Sequence, residues 1–272
     1  MSGVEAERPA RVFLPEIVQH RRAAVARLCA ETPLAEIARR AAAVVRRPRP
    51  FGPALRAAGP GHLAVIAELK RVSPASGPLA PGLEPAAVAA AYARGGAAAL
   101  SVLTEPEFFR ARPGDLPAAR EASGLPTLRK DFVVDPWQLH ETVLLGADAV
   151  LLLVVVLGPR TAEFVDLSLD LGLEPFVEVH TAQELEIALG TRASVLGINN
   201  RDLTSFAVDA TTAARLAPRA AGRTVAALSG IRGPADLRGL RAAGIHAVLV
   251  GEALVRAGDA EGAVRALAEA TA

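Results

Sequence analysis

From Val65 onward, short β-branched or leucine-rich runs alternate with alanine-rich helical stretches, and no other feature restricts the fold so strongly. Such alternation is the sequence form of repeated strand–helix units on a parallel sheet. Strands are expected at 65–70, 98–103, 126–130, 149–155, 175–179, 195–198, 224–228 and 247–250. Helical runs separate them, at 85–93, 136–144, 182–189 and 234–242 among others, several opening with the proline that suits a first turn. Gly146, Gly172 and Gly244 stand where those helices should end.

Eight such units in roughly two hundred residues, with no Gly-x-Gly-x-x-Gly after the first strand, predict an α/β fold, a closed (β/α)8 TIM barrel, over an open doubly wound sheet. The apolar content of 51% with only 4% aromatic residues predicts a core of Ala, Val and Leu. Ahead of the barrel lies a two-helix extension. Leu14, Ile17, Val18, Val25 and Leu28 mark one apolar stripe, and Leu34, Ile37, Ala41, Val44 and Val45 another. Residues 48–60 read as a connector. The expected organisation is 1–60 as extension and connector packed on the barrel at 61–272, the two helices covering one end of it, together one structural domain.

A net charge of +1 offers no field for a phosphate backbone, so nucleic-acid binding is not expected, and Arg46, Arg47 and Arg49 read as a solvated turn. The single cysteine, Cys29, excludes an internal disulfide, fits a reducing compartment and is expected in the core. Charges from Glu5 to Arg11 are unlike a signal peptide, and the longest apolar run, 147–158, is too short to span a bilayer. A cytoplasmic protein without a membrane partner is the expectation.

Lys70 and Lys130 are the only lysines among thirty basic residues. Where arginine has replaced lysine wherever a solvated cation suffices, a surviving lysine marks a compact charge, a proton donor or a nucleophile. Both end predicted strands, where barrel enzymes carry their reactive groups. Glu68 and Lys70, two apart, share one face about 7 Å apart along the strand. Burying them without a role, other than as a structural ion pair, would cost several kcal/mol. Glu178, Asn199 and Ser229-Gly230 end or follow the fifth, sixth and seventh strands. Gly230 and Gly251 allow close backbone approach to an anion, which with the lysines predicts a phosphorylated small-molecule ligand. Ser73-Pro74-Ala75-Ser76-Gly77 reads as a loop able to close over that phosphate. His140 and His180 lack partners at metal-ligand spacing, so no metal is expected. Trp137 reads as a packing or capping residue.

At these residues the chain resembles indole-3-glycerol phosphate synthases, from about Leu14 to the C-terminus. The blocks that carry the resemblance are Ile66-Ala67-Glu68-Leu69-Lys70-Arg71 with Ser73-Pro74, Ser101-Val102-Leu103-Thr104-Glu105, Leu128-Arg129-Lys130-Asp131-Phe132, Val177-Glu178-Val179-His180, and Gly197-Ile198-Asn199-Asn200-Arg201-Asp202-Leu203. The resemblance implies a cofactor-free lyase of tryptophan biosynthesis. It would cyclise 1-(2-carboxyphenylamino)-1-deoxyribulose 5-phosphate with loss of carbon dioxide and water, under an extension folded over the catalytic mouth. It implies Lys130 as general acid, Lys70 as holder of the departing carboxylate oriented by Glu68, Glu178 as general base and Asn199 as partner of a substrate hydroxyl. Ser73, Ser229, Gly230, Gly251 and Glu252 would grip the phosphate, while Phe109, Phe132 and Arg201 shape the pocket.

Where the family usually reads Glu-Ser-Gly, this chain reads Leu228-Ser229-Gly230, and the loss of that charge predicts lowered lysine pKa values and a missing acceptor for a hydroxyl. Smaller departures are Arg110-Ala111-Arg112, where a Gly-Ser pair is usual, and Ser76, where lysine is common. They leave open a paralogue of specialised metabolism with an altered substrate, or a barrel that binds the phosphate ligand without turnover. Association with other tryptophan-pathway enzymes and the oligomeric state also stay open.

Overall fold

The computed structural model describes residues 14–74 and 76–270. Helices α1 (Leu14–Glu31), α2 (Leu34–Ala42) and α3 (Phe51–Arg56) precede β1 (Ala64–Leu69) and a small hairpin of β2 (Val72–Ser73) with β3 (Gly77–Pro78). Then follow α4 (Pro85–Arg94), β4 (Ala99–Leu103), α5 (Asp115–Ser123), β5 (Thr127–Lys130), α6 (Trp137–Leu144), β6 (Ala149–Leu153), α7 (Val154–Leu157) and α8 (Thr161–Asp170). The chain continues through β7 (Glu174–Val179), α9 (Ala182–Leu189), β8 (Val195–Asn199), α10 (Thr212–Leu216), β9 (Thr224–Leu228), β10 (Ala247–Val250), α11 (Glu252–Arg256) and α12 (Ala260–Ala268). Strands β1, β10, β9, β8, β7, β6, β5 and β4 close in that order into a parallel barrel. Among the described residues no helix is long and apolar enough to cross a membrane.

The strands are apolar on both faces because both are covered. In β1, Val65, Ala67 and Leu69 join the outer core under the helices, whereas Ala64 and Ile66 point into the barrel and Glu68 continues their face. The inward residues at the strand starts are mostly small: Ala64, Ala99, Ala149, Ala226 and Ala247. Five alanines cannot fill a barrel, and α3 supplies the missing volume by inserting Phe51 and Leu55 from below. The Phe51 ring meets Phe176 edge to face at 6.1 Å, and Gly197 leaves room for Phe176, whose Cζ would lie 2.9 Å from a Cβ there.

Several sequence expectations are corrected here. The connector at 48–60 is not a plain linker, since it contains the α3 plug. Arg46 and Arg49 are not a solvated turn. Arg46 donates to the carbonyls of Leu171 and Ala147, and Arg49 to those of Arg120 and Leu125, which staples the connector to the base of the barrel. Composition hides this, because the acceptors are backbone oxygens. Helix α2 ends at Ala42, leaving Val45 outside it and 89% exposed, and Cys29 is partly exposed rather than core. Strand β6 stops at Leu153, where the apolar run turns into α7. The helix expected at 234–242 shrinks to a single 3-10 turn, Pro234–Leu237, with Gly239 and Gly244 both at positive φ.

Together the extension and connector reach both ends of the barrel. Below, α3 plugs it; above, Leu14 and Ile17 of α1 line the mouth. Arg21 of α1, itself buried, donates to Asp131 Oδ2 at 2.8 Å. Trp137 packs as expected and donates from Nε1 to the Thr32 carbonyl at 2.8 Å, tying the α1–α2 turn to α6.

Candidate active site

A cavity of about 830 Å³ opens at the carboxyl ends of the strands. It is lined by Glu68 of β1 and Lys70 just past it, Lys130 of β5 and Phe132 beyond it, Glu178 of β7, Asn199 of β8 and Arg201 beyond it, and Ser229, Gly230, Gly251 and Glu252 after β9 and β10. Ser73 and Phe109 complete the set on the loops after β1 and β4. The thirteen residues assigned site roles in the sequence therefore line one cavity, because they stand at the carboxyl ends of the strands or on the loops that follow them.

Its floor is a charge lattice. Lys70 Nζ lies 2.8 Å from Glu68 Oε1, while Lys130 Nζ lies 3.6 Å from Glu68 Oε2 and 3.8 Å from Glu178 Oε2. Both carboxylates are 4% exposed, against 16% for Lys70 and 19% for Lys130, so the ammonium groups face the cavity and the carboxylates lie behind them. Burial works to raise the Glu68 pKa, but the charges of Lys70 and Lys130 outweigh it and hold the carboxyl below its usual range. At Lys130 the remaining carboxylates decide the direction. Burial pushes it down, yet Glu178 and Glu68, both within reach, hold the ammonium above its ordinary value.

Asn199 is committed on both sides of its amide. Nδ2 donates to Glu178 Oε1 at 2.7 Å, and Oδ1 accepts the Arg201 N–H at 2.9 Å. His180 stands with Nδ1 2.7 Å from the Asn199 carbonyl, not at a metal site. Among the described residues no group of three His, Cys, Asp or Glu side chains is arranged to hold a metal ion. Leu228, paired in register with Asn199, is buried with Leu151, Leu153 and Leu249 and makes this wall of the cavity apolar.

Gly251 is under a second constraint besides the one its sequence position suggested. Its φ of −123° is open to any residue, but a Cβ there would collide with Glu68 Oε1 and lie 3.0 Å from Lys70 Nζ. Glycine is needed so that the Glu68–Lys70 pair can press against the backbone. Ser229 and Gly230 do adopt left-handed φ of 62° and 80°, and Asn200 holds this turn by donating from Nδ2 to the Ser229 carbonyl at 3.1 Å. At the rim, Glu252 accepts from Ser76 Oγ at 2.9 Å and from Arg256 Nε at 3.0 Å, which joins the loop after β1 to α11. Ala75 of the Ser73–Gly77 loop lies outside the described residues.

Sequence reasoning missed the support beneath Lys130. Arg129 and Asp131, its chain neighbours, point outward and are almost wholly buried. Asp131 Oδ2 accepts from Arg21, Arg129 and Thr104 at 2.8, 3.0 and 2.8 Å; Arg129 also donates to Gln138 O and Thr142 Oγ1, each at 2.9 Å. The available signal was three consecutive charged residues, Arg129-Lys130-Asp131, at a strand end, where period-two alternation sends the middle one in and its neighbours out.

The comparisons with known proteins agree with this geometry. The family model described as Indole-3-glycerol phosphate synthase matches residues 14–267. The Indole-3-glycerol phosphate synthase of Carboxydothermus hydrogenoformans is 43% identical over 254 residues, covering 91% of this chain and 96% of that protein. Indole-3-glycerol phosphate synthase 2 of Streptomyces coelicolor is 50% identical over 213 residues, covering 78% of this chain and 81% of that one. Thiamine phosphate pyrophosphorylase from Pyrococcus furiosus superposes with a TM-score of 0.56 at 16% identity, over 75% of this chain and 93% of that one, a likeness of fold alone. On the match across residues 14–267 and these identities, the chain belongs to the indole-3-glycerol phosphate synthase family.

Proposed function

We propose that this chain closes the indole ring of indole-3-glycerol phosphate from 1-(2-carboxyphenylamino)-1-deoxyribulose 5-phosphate, releasing carbon dioxide and water, in tryptophan biosynthesis. The observation that carries the reading is the Lys130 ammonium, exposed to the cavity on one face and backed by Glu68 and Glu178 on the other.

A carbonyl attacked by an arene carbon becomes an alkoxide, and the reaction needs a proton delivered to that oxygen. Lys130, kept protonated by the carboxylates behind it, supplies the proton. Lys70, steadied by Glu68, meets the substrate carboxylate until it leaves as carbon dioxide. Glu178 then takes the proton from the ring carbon beside the nitrogen while Lys70 gives a proton to the ring hydroxyl, which departs as water. Asn199 orients Glu178 and, having two amide hydrogens, keeps one for a substrate hydroxyl. Ser73 and the backbone of Ser229, Gly230, Gly251 and Glu252 take the phosphate, with the Glu252 charge drawn off by Arg256 and Ser76. Phe109, Phe132 and Arg201 shape the remaining wall. In this reading no cofactor takes part, and the reaction runs in the cytoplasm.

The test is a fluorescence assay for the indole product on the purified protein and on Leu228→Glu. No product from either, with ligand still bound, would sink the assignment. Lys130→Arg keeps the charge but not the proton transfer, so turnover should fall by about 10²–10⁴-fold; unchanged turnover would remove the general-acid role.

A further inference from the structure

The loop that leaves β4 is wound around a carboxylate. Glu105, 1% exposed, accepts from three consecutive backbone N–H groups: Glu107 at 3.0 Å, Phe108 at 2.7 Å and Phe109 at 3.2 Å. Its own carbonyl receives the Ala111 N–H at 3.2 Å, which closes the loop on its starting residue. Between them Arg110 adopts a φ of 56°, a left-handed conformation that a side-chain-bearing residue keeps only when its surroundings impose it. Among the described residues no Lys or Arg forms an ion pair with Glu105. Its charge is therefore met by the three N–H groups, and those same groups set the path of the loop.

That path sends two rings in opposite directions. Phe108 meets His20 of α1 edge to face at 5.4 Å, whereas Phe109 turns into the cavity with its ring 6.2 Å from that of Phe132 and tilted by 39°. Phe132 is itself tied down, its N–H donating to Asp131 Oδ1 at 2.8 Å. The two rings form a tilted jaw beside Lys130, one side held by Asp131 and the other by Glu105. We propose that Glu105 is a positioning residue for substrate recognition: by gathering the N–H groups of residues 107–109 it holds Phe109 opposite Phe132, so that the pair clasps the planar ring of an anthranilate-type substrate. This rests on the ring-closure reading above and assigns the residue that organises its aromatic subsite.

The test is a double-mutant cycle of Glu105→Gln and Phe109→Ala, read by calorimetric binding of the substrate's reduced, non-cyclisable ribitol analogue, with inorganic phosphate as a second probe. Glu105→Gln should weaken analogue binding about tenfold, the worth of a charged hydrogen bond, and leave phosphate binding within about twofold. If Glu105 acts through Phe109, the double variant binds no worse than Phe109→Ala. Wild-type affinity in Glu105→Gln, or effects that multiply in the double variant, would overturn the proposal. Should Glu105→Gln lose its cooperative unfolding transition, Glu105→Asp, which keeps the charge one methylene short of the N–H groups, takes its place under the same criteria. Absence of product from the wild type would defeat the ring-closure reading alone, because the binding cycle still reports on Glu105.

Discussion

Gly251→Ala tests the charge lattice through a single methyl group. The φ of −123° lies outside the left-handed region, so the effect of the substitution is read from the space the methyl takes. That space is occupied: the new Cβ would overlap Glu68 Oε1, lie 3.1 Å from Glu68 Cδ and stand 3.0 Å from Lys70 Nζ. Because the obstructing atoms are the far ends of flexible side chains, the fold can yield by swinging the carboxylate aside, at about 1–3 kcal/mol for overpacking. The Glu68–Lys70 bond, now 2.8 Å, would then stretch beyond hydrogen-bonding range. Losing one charged hydrogen bond is worth about 1.5–3 kcal/mol, or about 10–100-fold in kcat/KM. The assay is steady-state indole fluorescence beside a thermal melt. A kcat/KM within about twofold of wild type would refute the reasoning, since it would mean that the close pairing of Glu68 with Lys70 has no bearing on turnover.

Three further outcomes are expected. The Glu68 pKa is depressed, so its contribution to stability is present above the unfolded value of about 4.3 and is lost as pH falls through its folded value; that of Lys130 is raised, so its contribution is full below about 10.4 and lost as pH rises through its folded value. The urea-unfolding difference between wild type and Glu68→Gln should therefore be flat from about pH 5 to 10, and a slope inside that window would contradict the sign of these shifts. Phe51→Ala empties the plug at the base of the barrel and should cost about 3–5 kcal/mol in denaturant unfolding; a loss below about 1 kcal/mol would mean that α3 does not fill the interior. Arg21→Met should cost about 1–3 kcal/mol, since Asp131 keeps Arg129 and Thr104, and an unchanged Tm would show that the α1 latch contributes nothing.

The barrel was legible because period-two and helical patterns are local, and eight repeats of them leave few ways to close a sheet. The site was legible for a related reason. Polar residues that interrupt apolar strands, such as Glu68, Lys130 and Glu178, must share one end and one face of a parallel barrel, so their convergence follows from alternation alone. Tertiary structure decided what depends on partners distant in the chain. Arg46 and Arg49 found buried carbonyls, Phe51 and Leu55 filled a space that five alanines had left, and Glu178 and Glu68 raised the pKa of the Lys130 ammonium from behind. Gly251 is the sharpest case. The sequence places a glycine after the last strand, but only the packed barrel brings Glu68 and Lys70 against it, because steric exclusion acts between atoms 183 and 181 positions apart along the chain (251 − 68 and 251 − 70) that share no local pattern.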